Sequence, residues 1–281
     1  MRYYLETNAL YSIDAIINVC NNRCFTSVLS LLELISGINI ENFNKRKNIL
    51  NKVAISNIAI DWEMPEKIIF DSFGVTNDYK YKEERTEAIK ELIEEIFFAD
   101  SFKDFFNSKQ YNSTDYGFEY FKNLDFSWSK SFVAATIIGN KKIKKELQDN
   151  DKGVILDGKV YKIKEPGDLV NLFDYEPRLS HSCSIYAFCG MIKSQGIDKS
   201  EDEIYDSYNG LIYNYILGLS EYCDQKMIMY AEPAINDFQD LMHLIYLRNF
   251  NDLTIVSNDK IFGKYFKGNS ISIERLLEIY S

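Results

Sequence analysis

The chain has 281 residues, 46 % of them hydrophobic and 15 % aromatic, and a formal net charge of −10. This composition excludes a disordered or collagen-like chain, and the length suffices for one large domain or a domain with an insert. The acidic balance argues against wholesale nucleic-acid binding, although a local basic patch is enough for a confined contact.

In chain order, RYYL reads as a strand and TNALYSIDAIINVC as a helix with Thr7 or Asn8 near its cap. RCFTS is a second strand and VLSLLELISGI a helix that Gly37 stops. NFNKRKNILNKV is a helix, ISNIAI a strand and MPEKIIFDSFG a helix with Pro65 in its first turn. This alternation predicts an α/β fold with parallel strands joined by crossover helices. Between residues 79 and 231 the pattern changes. YKEERTEAIKELIEEIFFADSFKDFF and WSKSFVAATIIGNKKIKKELQD read as long helices, and HSCSIYAFCGMIKSQG and SEDEIYDSYNGLIYNYILGLSEYCDQKMIM as further helices. GVILDGKVYKI reads as a hairpin, because Asp157-Gly158 suits a tight primed turn. From 233 the α/β pattern returns, with helix INDFQDLMHLIYLRNF, strand LTIVS, helix DKIFGKYFK, a last strand SISI and ERLLEIY. The expected organisation is a discontinuous α/β domain, residues 1–78 and 232–281, interrupted by a mostly helical insert, 79–231.

No targeting segment is visible, and the apolar stretch GLIYNYILGL is too short to span a bilayer and contains Asn214. Cys20, Cys24, Cys183, Cys189 and Cys223 show no paired metal-binding spacing. An odd, scattered set predicts reduced, packed thiols and a cytoplasmic protein with no membrane contact.

The chemistry-bearing residues are acids. Glu6 stands where the first strand ends, and Asp259 repeats the design after LTIVSN. Ligand sites in open α/β sheets lie beyond the carboxyl ends of strands. Glu33 sits in an otherwise apolar helix. Asp237 and Asp240, three residues apart, share a helix face. Such acids repel one another unless a cation intervenes, and hard divalent metals take oxygen ligands. His243, one turn after Asp240, reads as a packed or supporting residue. LysArgLys at Lys45, Arg46 and Lys47, and the lysines Lys141, Lys142, Lys144 and Lys145, are the densest basic clusters and the candidates for phosphate contact.

LETNAL, TSVLSLLELISG, NDFQDLMHL and LTIVSNDKIF resemble, in that order, the motifs of PIN-domain nucleases. The resemblance covers residues 1–75 and 233–268 and leaves the helical insert outside. It implies a central parallel sheet and an Mg²⁺- or Mn²⁺-dependent endoribonuclease, in many bacterial members the toxin of a toxin–antitoxin pair. Carried over, Glu6, Glu33, Asp240 and Asp259 are the metal-holding catalytic acids, Asp237 is a neighbour able to assist, and Asn8 and Ser257 are supporting polar positions. The implied partners are an RNA substrate, a protein partner or antitoxin and a second copy in a homodimer. The sequence departs from the family at Glu6, where the motif begins with Asp. The extra methylene extends reach by about 1.5 Å, so the alternative expectation is a catalytically weakened PIN-like protein-binding module. A haloacid-dehalogenase-type phosphatase is a poorer fit, because Glu6-Thr7-Asn8 lacks its nucleophilic Asp.

Overall fold

The computed structural model describes residues 1–75, 82–124, 179–229, 231–248, 252–266 and 269–280, with scattered positions between 130 and 168. It has a mixed α/β architecture in which helices flank a parallel sheet. The sheet strands are β1 (Arg2–Leu5), β2 (Cys24–Ser27), β3 (Ala59–Asp61), β6 (Leu253–Val256) and β7 (Ser270–Ile271); a separate hairpin pairs β4 (Val154–Leu156) with β5 (Lys159–Tyr161). The five-stranded sheet runs β3-β2-β1-β6-β7, and every neighbouring pair is parallel. The first strand is therefore central. It holds β2 on one side and β6 on the other, with Leu5 opposite Val256.

Burial on both faces explains the sequences of these strands. Tyr3, Tyr4 and Leu5 are all buried, as are the four residues of β2 and of β6. The polar members of β2 are satisfied internally: Thr26 donates to the Leu5 carbonyl at 2.8 Å, and Ser27 caps the helix Val28–Ser36 by accepting the Ser30 amide at 3.3 Å. Gly37 ends that helix and Pro65 opens Pro65–Ser72, as expected.

Among the described residues several expected helices are broken, INDFQDLMHLIYLRNF among them, which passes from α-helix to a 3-10 turn at His243. The first in chain order divides into Thr7–Leu10 and Ile13–Cys20, and its cap is Glu6 rather than Thr7 or Asn8. The helix expected through FFADSF stops at Phe98, and Ser101 caps a new one, Phe102–Phe106. The stretch from Ser200 divides into Glu201–Asp206, behind a complete capping box, and Tyr213–Ile228. Asn209 makes this last break, because its amide and side chain donate to the carbonyls of Ser72 (2.9 Å) and Asp71 (3.0 Å). The hairpin forms as expected, with Gly158 at φ +74. The helix expected at WSKSFVAATIIGNKKIKKELQD lies largely outside the described residues.

Helix Lys82–Phe98 packs on Val28–Ser36 and on Phe43–Ile55. Helix Tyr213–Ile228 packs on Ile235–Met242, on the 3-10 turn His243–Leu247 and on Lys260–Tyr265. One cluster of buried residues therefore includes Tyr4 and Ile255 of the sheet together with Leu92, Phe188, Tyr215 and Tyr222. No helix among the described residues is long and apolar enough to cross a membrane.

Candidate metal centre

The central strand ends at Leu5 and the next side chain is Glu6, only 3 % exposed. Its Oε2 accepts the Asn8 amide at 2.7 Å, so the carboxylate caps the short helix Thr7–Leu10. The other oxygen, Oε1, is buried with no hydrogen-bond partner. Burial pushes this carboxyl up from its ordinary pKa. His243, the Asn8 amide and the Ser257 hydroxyl oppose the shift, and the Glu33 charge adds to it. The Ser257 hydroxyl is near enough to exert that pull, but its geometry falls short of a hydrogen bond to Oε1. An orphaned buried oxygen is costly and calls for an explanation.

Glu33 projects from the helix that follows β2. The Thr7 hydroxyl donates to its Oε2, and the His243 Nε2 lies 3.2 Å from each of its oxygens. His243 is 1 % exposed, and its Nδ1 stands 2.6 Å from the Tyr4 hydroxyl. That hydroxyl also meets Ser27 Oγ at 2.7 Å and Ser30 Oγ at 3.3 Å. Burial alone would lower the histidine's pKa, yet Tyr4, Glu33 and Glu6 together raise it well above the ordinary value.

Asp240 comes from the helix Ile235–Met242, and Asp259 follows β6. Asp259 caps Lys260–Tyr265, with Oδ1 accepting the Ile261 amide at 2.9 Å, while its own amide donates to Ser257 Oγ at 2.8 Å. The Asp240 carboxyl is pushed up to about 7, chiefly by burial and then by the charge of Asp259, with smaller contributions from Glu33 and Glu6 and an opposing one from His243. Four segments thus bring Glu6, Glu33, Asp240 and Asp259 into one electrostatic neighbourhood. They meet at charge range rather than ligand range: among the described residues no group of three or more His, Cys, Asp or Glu side chains is drawn close enough to hold a metal ion.

The chain matches no protein-family model, no curated protein and no solved structure. What the site can do must come from its own chemistry. The donors are all carboxylate oxygens, one buried oxygen lacks a partner, and Mg²⁺ commonly takes only one or two carboxylates with waters and substrate oxygens completing its shell. The residue set fits a hard divalent cation on those grounds.

The remaining expected residues stand elsewhere or act differently. Asp237 accepts the Tyr222 hydroxyl at 2.7 Å and pairs with Lys226 at 3.5 Å, on the side of the helix Tyr213–Ile228. Asn8 serves through its backbone amide and its side chain is exposed. In the first basic cluster Arg46 donates to the carbonyls of Glu33 and Leu34, both at 2.8 Å. Lys47 donates to the Ala99 carbonyl at 2.7 Å, and Lys45 lies 4.8 Å from the Tyr11 ring centroid. Lys141 and Lys145 are exposed, and Lys142 and Lys144 lie outside the described residues.

Thr7 and Tyr4 stand at the site without having been expected there. Both had a signal: Tyr4 shares a strand face with Glu6 by period two, and Thr7 adjoins the acid. Beside Glu33 opens an apolar cleft of about 460 Å³, including its open mouth, whose walls include Leu32, Met64, Phe121 and Met242.

Proposed function

We propose that the chain is a metal-dependent endoribonuclease of PIN type that hydrolyses RNA phosphodiester bonds with Mg²⁺ or Mn²⁺. The observation that carries the reading is the meeting, at the carboxyl end of a parallel sheet, of four acids from separate segments, with Asp240 raised to about 7 and Glu6 Oε1 left without a partner. Glu6, Glu33, Asp240 and Asp259 would hold the cation. The cation, when bound, acts as a Lewis acid that activates water and neutralises charge developing on the phosphodiester. The Asp240 carboxyl, raised to about 7, would have to give up its proton to serve as a ligand, which would couple metal affinity to pH. Glu33 arrives already oriented by Thr7 and His243. Asp259 is held by the Ile261 amide through Oδ1, and Oδ2 would be the oxygen offered to the cation.

Labelled single-stranded RNA incubated with purified protein and Mn²⁺ tests the reading. Wild type should cut, and Asp259→Asn should be slower by at least about 100-fold, the scale of a misplaced catalytic group. Equal cleavage by both proteins, or none by either, defeats the reading for that substrate.

A second reading, a PIN-like protein-binding module with weakened catalysis, draws support from one observation: the acids do not reach ligand range. Calorimetric titration with Mn²⁺ separates the two, since the module requires no binding.

A further inference from the structure

We propose that His243, held by Tyr4, is the positioning residue for Glu33, and that this Tyr4–His243 pair sets the strength of the metal site. The metal consequence rests on the function proposed above; the clamp itself rests on geometry alone.

His243 follows Asp240 by three residues, where the helix Ile235–Met242 tightens into a 3-10 turn. Both ring nitrogens are engaged, with the Tyr4 hydroxyl at 2.6 Å and the Glu33 oxygens at 3.2 Å. Facing a carboxylate, Nε2 must carry the proton and donate it, in either protonation state of the imidazole. The Tyr4 ring cannot drift. It lies 5.3 Å from Phe25 and 5.7 Å from Tyr246, centroid to centroid, and Ser27 and Ser30 hold its hydroxyl. The Thr7 hydroxyl engages Glu33 Oε2 as a second donor. A rigid chain of contacts thus runs from β2 through β1 and the 3-10 turn to one carboxylate. Partners behind a metal ligand fix its orientation, and removing them typically weakens metal binding about 10–100-fold.

Mn²⁺ titration calorimetry on the full chain, with His243→Leu, His243→Gln, Glu33→Gln and the His243→Leu/Glu33→Gln double variant, tests the clamp. The glutamine amide can donate from near the place of Nε2. His243→Leu should weaken Mn²⁺ binding about 10–100-fold, and His243→Gln should recover most of the loss. In the Glu33→Gln background His243→Leu should change affinity no further. Equal losses for leucine and glutamine, or full additivity with Glu33→Gln, overturn the proposal. Nitrogen NMR of the wild-type imidazole gives a readout that needs neither metal nor altered core. A proton on Nε2 whose signal moves in Glu33→Gln supports the clamp, and an unprotonated Nε2 or an unmoved signal overturns it. Wild type that keeps this signal yet binds no Mn²⁺ sinks the metal reading while the clamp stands.

Discussion

At the scale of single residues, the site is one buried acid and three half-buried ones, and the cost of crowding them shows in Asp240. The Asp240 carboxyl, ordinarily near 3.8, stands at about 7 in the folded chain. The unfolded chain therefore binds fewer protons than the native one between those values, and stability falls as pH rises through that window. A shift of this size is worth roughly 4 kcal/mol. Without metal the protein should melt at a higher temperature at pH 5 than at pH 7.5. Asp240→Asn should flatten that slope and stabilise the protein at pH 7.5. Thermal melts in chelator at the two pH values check this, and an unchanged slope in the variant would place the titration elsewhere. Saturating Mn²⁺ should likewise raise the wild-type melting temperature most at the higher pH, where the acids repel most strongly. Single residues were also the scale at which the sequence said least about pairing. An acid after an apolar strand is visible in a string of letters. The 2.6 Å contact between Tyr4 and His243, 239 positions apart, depends on two distant segments meeting in the core.

At the scale of elements, the helix Val28–Ser36 carries Glu33 and owes its C-terminal end to a residue expected to touch phosphate. Arg46 donates to the carbonyls of Glu33 and Leu34 in the last turn, where helix carbonyls run short of amide partners; the Glu33 carbonyl also accepts the Gly37 amide at 3.3 Å. Gly37 makes the room: a Cβ there would stand 2.5 Å from the guanidinium nitrogens. Arg46→Ala should cost about 1.5–3 kcal/mol, the range for hydrogen bonds to a charged group. Gly37→Ala should cost a similar amount by displacing the same guanidinium, and the double variant should be no less stable than Arg46→Ala alone. Urea denaturation of the three proteins checks the coupling; additive losses would show that Gly37 acts by another route. The strands and most helices were legible because buried parallel strands read as short apolar runs and helix stops carry Gly or Pro. The break around Asn209 was not, because it is set by hydrogen bonds to the carbonyls of Ser72 and Asp71. Charge runs were hard to read for a related reason: a lysine's letter does not tell solvent from a carbonyl such as that of Ala99.

At the scale of the whole molecule, helices between residues 79 and 231 share one buried cluster with the sheet. Ile89, Leu92 and Ile96 on one side and Tyr215, Ile216 and Tyr222 on the other are buried within it. A variant with residues 79–231 replaced by a short Gly-Ser linker should keep helical far-UV signal but lose near-UV signal and bind a hydrophobic dye, the marks of lost packing. A cooperative melt near the wild-type temperature would show instead that the sheet layer stands alone. The return of the α/β pattern after residue 233 was readable from periodicity, whereas the shared core was not, since periodicity marks which face is buried and not what covers it.

The central place of β1 in the sheet orders assembly in time. β1 is bordered by β2, made soon after it, and by β6, made about 250 residues later. At roughly 5–20 residues per second, some 10 to 50 s separate the synthesis of Glu6 from that of Asp259. Throughout that interval the edge of β1 that pairs with β6 lacks its partner strand, and the fourth acid is not yet made. The four acids can meet only once Asp259 has been made, so the proposed hydrolysis of RNA would have to wait for the last of them.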